Sequence, residues 1–207
     1  MDFVHPVRAV IPGAQGRVLA VLAETTAELN LRTLARLAGV SVAQASRVMP
    51  DLVELGLVER REVPPSSQFR LNHENVAARA ILDLARSRDT ALHRIGTAVD
   101  SLPLSPTSII VFGSFARGEA DTKSDLDVVV VRPDEIAEDD DAWAAGVEHW
   151  RSEARAITGN RVEVLEVSHH EVRARLAGKT SLWSDVARDG VTVHGLTIDE
   201  LMEPVHA

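Results

Sequence analysis

The chain has 207 residues, 45% of them hydrophobic, with 22 Lys+Arg against 31 Asp+Glu, a formal net charge of -9, and no cysteine. That length suits one large domain or two small ones; no disulfide or thiolate metal site can form, and no apolar run is long enough to cross a bilayer. The first 75 residues hold eight basic and eight acidic side chains, so the rest carries the whole acidic excess and any nucleic-acid contact must be local and salt-sensitive.

The opening Met-Asp-Phe-Val-His-Pro has no basic region ahead of an apolar one, so export is not expected and the cytoplasm is the default. Pro12 with Gly13 then opens a helical pattern in which Val18, Leu19, Leu22 and Ala23 recur at helical spacing. A second helix is predicted over residues 31–38 with Asn30 as its N-cap. Gly39-Val40-Ser41 makes a tight turn, and Ser41 caps a third helix running to about Leu55. On that helix Ala43, Val48, Leu52 and Leu55 fall near one face and Gln44, Ser46 and Arg47 near the other; Pro50 removes a backbone hydrogen bond and predicts a bend. Residues 57–62 and 68–71 then form a hairpin with a long polar tip over 63–67.

Three helices and a two-stranded ribbon, with Leu34-Ala35-Arg36-Leu37-Ala38-Gly39-Val40-Ser41 at the turn, resemble the winged helix-turn-helix domain of bacterial transcription regulators. In that family the third helix enters the major groove and the wing touches the backbone or minor groove. The resemblance implies a DNA partner, with Gln44, Ser46 and Arg47 reading bases and Arg60, Arg61 and Arg70 on phosphates. A reading helix with a single arginine also leaves a protein-docking or dimerising role open.

From about Glu74 to Asp100 a long helix is predicted, its stripe made by Ala77, Ile81, Leu84, Ala91, Leu92, Ile95 and Val99. Asn72 or His73 caps its start and Pro103 lies just past its end. The stripe either packs on the flanking domains or forms the seam of a homodimer.

The stretch that organises the chain follows. An apolar run, Ile109 to Phe112, ends in Gly113-Ser114; after ten intervening residues, Asp125 and Asp127 flank Leu126 and lead into Val128, Val129, Val130 and Val131. Side chains alternate along a strand, so the two aspartates emerge on one face and can share a metal. A glycine and a serine after a buried strand let the backbone approach a phosphate and supply donors to it. Magnesium takes a few carboxylates together with phosphate oxygens, so protein and nucleotide would complete its shell jointly.

Six carboxylates between Asp134 and Asp141 read as a solvated loop and the acidic first turn of a helix, and carry no chemistry. That helix places Trp143, Val147, Trp150, Ala154 and Ile157 on one stripe, the tryptophans as core anchors, and Gly159-Asn160 ends it. Residues 161–167 alternate like a strand in which Glu163 shares a face with Leu165 and Val167. His169 and His170 begin another helix, and residues 181–195 read as helix, glycine turn and short strand.

Gly-Ser, a spacer and Asp-x-Asp resemble the signature of the polymerase-beta-type nucleotidyltransferase superfamily. The version Gly-Ser-Phe-Ala-Arg-Gly-Glu-Ala with Asp-Leu-Asp looks most like its minimal branch, over about residues 107–195. The fold class implied is α+β: a winged helix-turn-helix domain over 1–73, a connecting helix over 74–102, a nucleotidyltransferase domain over 103–197 with a mixed sheet and helices on one side, and a tail over 198–207. The resemblance further implies a two-metal magnesium site on Asp125, Asp127 and a third carboxylate, with a nucleoside triphosphate as substrate. Glu163 matches that third position, where the family more often has Asp, and Glu166 is the alternative. Gly113 and Ser114 would hold the triphosphate and Arg117 would neutralise the leaving pyrophosphate.

Minimal members of this superfamily often act as antitoxins that adenylylate a cognate toxin, while others modify transfer RNA ends or aminoglycosides. An acceptor hydroxyl on a protein or RNA is therefore expected, with AMP as the moiety moved and no membrane involved. The competing reading is a transcription regulator whose second domain senses a nucleotide without catalysis.

Overall fold

The structure is a computed structural model that describes residues 1–178 and 180–203. The chain divides into two compact units: Asp2 with Val4–Ser87, and Met1 and Phe3 with Arg88–Ala207.

The first unit begins with α1 (Pro6–Val10) and α2 (Gly13–Ala23), followed by the two-residue strand β1 (Leu29–Asn30). Next come α3 (Leu31–Ala38) and α4 (Val42–Glu54), both ending and starting where local chemistry directs. The Asn30 side chain accepts from Thr33 N at 2.9 Å, and Gly39 closes α3 in the left-handed region at φ 62°. Ser41 and Gln44 form a reciprocal capping box: Ser41 Oγ accepts from Gln44 N at 3.1 Å, and Gln44 Oε1 accepts from Ser41 N at 2.9 Å. α4 runs through Pro50 without a break. Its buried residues are Ala45, Met49 and Leu52, whereas Ala43 and Leu55 are exposed. The expected core face on Ala43, Val48, Leu52 and Leu55 is therefore rotated: Ala45 and Met49 join Leu52 at 4-3 spacing, and Ala43 and Leu55 fall off that stripe.

β2 (Val58–Val63) and β3 (Ser66–Leu71) make the wing, and β1 pairs with β3 to give a three-stranded antiparallel sheet. The strands run to Val63 and Ser66, so only Pro64 and Pro65 remain at the tip, not the long polar loop expected. Neither proline can donate to the ladder, which confines them to the turn. Leu34, Ala38, Leu52, Val58, Phe69 and Leu71 lie in one core with Val18 and Leu22. α5 (Val76–Ala85) closes the unit, capped by Asn75, whose side chain accepts from Ala77 N and Ala78 N. The cap is thus Asn75, not Asn72 or His73.

The long helix expected to Asp100 is divided. α5 ends at Ala85, Arg86 leaves the helical region at φ -97°, ψ 15°, and α6 (Ser87–Thr97) starts afresh before a 3-10 turn, Ala98–Ser101.

In the second unit, β4 (Ser108–Phe112), the short α7 (Gly113–Ala116), β5 (Leu126–Arg132), α8 (Asp141–Thr158), β6 (Val162–Ser168), α9 (His169–Leu176), α10 (Ser181–Asp189), β7 (Val191–Gly195) and α11 (Ile198–Met202) follow in order. The sheet order is β6-β5-β4-β7, with β5 and β6 parallel and the other pairs antiparallel, so the sheet is mixed as expected.

Helices cover both faces of this sheet, not one. Val128 and Val130 join Trp143, Trp150 and Ile95 in one core, while Val129 and Val131 join Val172, Trp183, Val186 and Leu201 in another. All four valines are therefore buried, as in a central strand with no solvent face. Trp143 and Trp150 are the core anchors the helical spacing predicts, and Trp150 Nε1 donates to Ile95 O at 3.0 Å. Within the acidic stretch, Asp140 caps α8 by accepting from Trp143 N at 2.9 Å, and Asp134 accepts from His170 N at 2.9 Å. Leu201 of α11 packs into the second core; residues 204–207 of the expected tail lie outside the described residues.

Candidate active site

β4 delivers Gly113-Ser114 and β5 delivers Asp127 to one spot. The antiparallel register sets Phe112 opposite Asp127, and Gly113 turns the chain into α7 at φ 70°. A Cβ built on Gly113 would lie 2.5 Å from Asp127 Oδ2. Only glycine lets the backbone and that carboxylate approach so closely. Asp125 stands just before β5, with its neighbours fixed: Leu126 N donates to Arg161 O at 2.7 Å.

On the other side of β5, the parallel register sets Asp127 beside Glu163. Both share the sheet face of Val129, Val131 and Val167. Burial, then the negative charges of Asp125 and Glu163, push the Asp127 carboxyl above its ordinary proton affinity, with Arg117 opposing them. Glu163 forms an ion pair with Arg161, although its buried Oε1 meets no donor in hydrogen-bonding geometry. Glu166 falls on the opposite face and pairs with Arg132 at 2.8 Å, away from the aspartates.

Arg117 sits at the C-terminal end of α7. Its Nε donates to Glu119 at 2.8 Å and its Nη1 to Asp189 at 3.4 Å, so a phosphate there would compete with two carboxylates.

The donor set suits a hard divalent cation. Two aspartates and a neighbouring glutamate offer oxygen ligands whose mutual repulsion a cation relieves, and magnesium needs only one or two of them beside phosphate oxygens. Among the described residues no group of three or more His, Asp or Glu side chains is gathered in ligand geometry.

Sequence reasoning passed over Arg88 and Asn160. Arg88 Nε donates to Phe115 O at 2.8 Å and its Nη2 to Ala116 O; the Asn160 side chain donates to Asp121 O at 2.9 Å and Ser124 O at 2.8 Å. Asn160 carried only the signal of a helix end, and nothing in the sequence marks Arg88.

In the first unit, Ser46 and Arg47 are exposed on α4. Gln44 has its carbonyl oxygen committed to the capping box. Each wing arginine has an internal partner: Arg60 with Ser67 and Glu62, Arg61 with Gln68 and Glu28, and Arg70 with Glu59 at 2.6 Å. A groove of about 930 Å³ lies between α4 and the wing, lined by Ser46, Met49, Pro50, Arg60 and Phe69 among others. No helix among the described residues is long and apolar enough to cross a membrane.

Two family models match the chain. One, described as a nucleotidyltransferase domain, covers residues 92–176, and the other, described as an IclR helix-turn-helix domain, covers residues 16–62. No curated protein matches. Among solved structures, a MarR-family transcriptional regulator from Silicibacter pomeroyi is 29% identical, covering 39% of this chain and 57% of its own, with a TM-score of 0.33. RV1404 from Mycobacterium tuberculosis is 25% identical, over 42% of this chain and 64% of its own, with a TM-score of 0.32. A toxin-antitoxin structure with AMP-PNP is 18% identical, over 56% and 80%, with a TM-score of 0.34. This chain thus spans less than two thirds of the length of the first two. The chain joins an N-terminal helix-turn-helix domain of the IclR type to a C-terminal nucleotidyltransferase domain.

Proposed function

We propose that the second unit transfers a nucleoside monophosphate, AMP by preference, from a nucleoside triphosphate to a hydroxyl of a protein or RNA, and that the first unit binds DNA. The observation that carries the reading is the approach of Asp127 to Gly113, with Glu163 beside Asp127 in the adjacent strand. A phosphate loop and a carboxylate cluster meet there, and a structural turn has no need of either.

In this reading Gly113 and Ser114 grip the triphosphate, and Asp125 and Asp127 hold magnesium. The acceptor oxygen forms a bond to the α-phosphorus, the bond from that phosphorus to the bridging oxygen breaks, and pyrophosphate leaves. The hydroxyl proton passes to the carboxylate cluster, where Glu163 neighbours Asp127. Arg117 exchanges Glu119 and Asp189 for the leaving pyrophosphate. Magnesium, when bound, would neutralise phosphate charge and polarise the reacting phosphoryl group. An antitoxin-like role on a cognate toxin in the cytoplasm, with the winged helix regulating its own operon, accords with the sequence resemblance.

A second reading, a nucleotide-sensing regulator without catalysis, is favoured by the ion pair that occupies Glu163. Incubation with magnesium and α-labelled triphosphates, with host lysate as the source of acceptors, separates the two. Label on a protein or RNA with wild type but not with the Asp125→Ala, Asp127→Ala double variant is the expected result. Nucleotide binding without transfer would favour the sensor.

A further inference from the structure

We infer that Arg88 and Asn160 are positioning residues that clamp the two ends of the spacer between the Gly-Ser loop and the Asp-x-Asp strand; the inference rests on the transferase reading of that site. α7 ends two residues after Ser114 in a turn where Gly118 N donates to Phe115 O at 3.2 Å, and the Ala116 carbonyl lies at that helix end. Arg88 supplies the donors, Nε to Phe115 O at 2.8 Å and Nη2 to Ala116 O, from a side chain 26% exposed. A guanidinium presents its N–H groups as a rigid fork, so it fixes two adjacent carbonyls at once, which a lysine cannot.

At the far end, Asn160 is 3% exposed and directs its amide group to Asp121 O and Ser124 O. Ser124 is the residue before Asp125. The residue after Asp125, Leu126, donates to the carbonyl of Arg161, which follows Asn160 in the chain. One turn after α8 therefore holds the backbone on both sides of Asp125. The Asp121 side chain tightens the same corner by accepting from Lys123 N at 2.8 Å and Ser124 N at 3.0 Å. The Gly-Ser loop and the Asp-x-Asp strand are thus each held by an anchor outside the motif, one on α6 and one on the α8–β6 turn.

The two clamps act at different places, so their loss should be separable. Arg88→Ala frees the loop and should speed amide deuterium exchange at residues 113–118. Asn160→Asp puts a carboxylate against two carbonyls and should do so at residues 121–127. Because a misplacement of about 1 Å costs on the order of 100-fold in rate, each should lower label transfer from α-labelled ATP by roughly 10- to 100-fold. Arg88→Ala should also weaken ATP binding in calorimetry and regain transfer when guanidinium is added, whereas Asn160→Asp should raise the magnesium concentration needed for transfer and gain nothing from guanidinium, since it loosens Asp125 and leaves the phosphate loop untouched. Arg88→Lys and Asn160→Ala serve if either first variant fails to fold. Exchange that accelerates throughout the unit, or not at all, would overturn the assignment. If wild type itself transfers no label, the transferase reading falls, and the local exchange pattern still decides whether the clamps exist.

Discussion

Gly113→Ala and Gly159→Ala make a matched pair, because both glycines lie in the left-handed region, at φ 70° and 71°. The backbone penalty is the same for each, about 1–2 kcal/mol, which for a unit of this size lowers Tm by roughly 3–12 °C. The surroundings differ. A Cβ at Gly159 finds its nearest atom at 3.6 Å, an ordinary contact, whereas at Gly113 it meets Asp127 Oδ2 at 2.5 Å. The Asp127 carboxylate, being the far end of a side chain, can swing away by roughly 1 Å, so the stability cost should stay near that of Gly159→Ala while transfer falls on the order of 100-fold. Thermal unfolding followed by circular dichroism and label transfer from α-labelled ATP give the two numbers. Equal loss of Tm with unchanged transfer in Gly113→Ala would refute the placement of Asp127 at the reacting centre.

Other consequences are as direct. Trp150→Ala empties the core beneath α8 and removes a hydrogen bond to Ile95, and should cost about 3–5 kcal/mol in urea unfolding. Ser41→Ala breaks the capping box of α4 and should cost about 1 kcal/mol. Burial opposes the Asp134 charge, but the hydrogen bonds and charge of His170 outweigh it and hold the carboxyl below its ordinary 3.8. The ion pair therefore contributes stability above that value and loses it as pH falls through the lowered pKa. Asp134→Asn should be less stable at neutral pH and show a flatter acid limb in pH-jump unfolding. Arg47→Ala should weaken operator binding and reduce the salt slope of binding by about one if the arginine meets a phosphate.

The elements legible in the sequence were those set by local chemistry. Asn30, Ser41, Gly39 and Gly159 fixed helix ends because a cap is decided within four residues. What depended on distant partners was not legible. The buried face of α4 is chosen by α2, α3 and β2, so Ala45 and Met49 won over Ala43 and Leu55. The break at Arg86 carries no glycine or proline to announce it. The four-valine run did hold the signal that both faces of β5 are covered, since a strand with one wet face would alternate. The position of Glu163 beside Asp127 was expected from the family resemblance and not from alternation, and neither foretold that Arg161 would pair with Glu163, because that contact depends on where a long side chain turns.

The wing has a bearing on how a DNA-binding unit of this kind searches. Arg60, Arg61 and Arg70 are already matched to Glu62, Glu28 and Glu59, so a phosphate must evict a carboxylate before it gains a contact. On the proposed DNA-binding reading, that exchange offsets much of the gain from a wing contact, so affinity would depend on what α4 adds. If the first unit binds DNA as proposed, a wing matched in this way is expected to leave an arbitrary sequence sooner than a wing of bare arginines would.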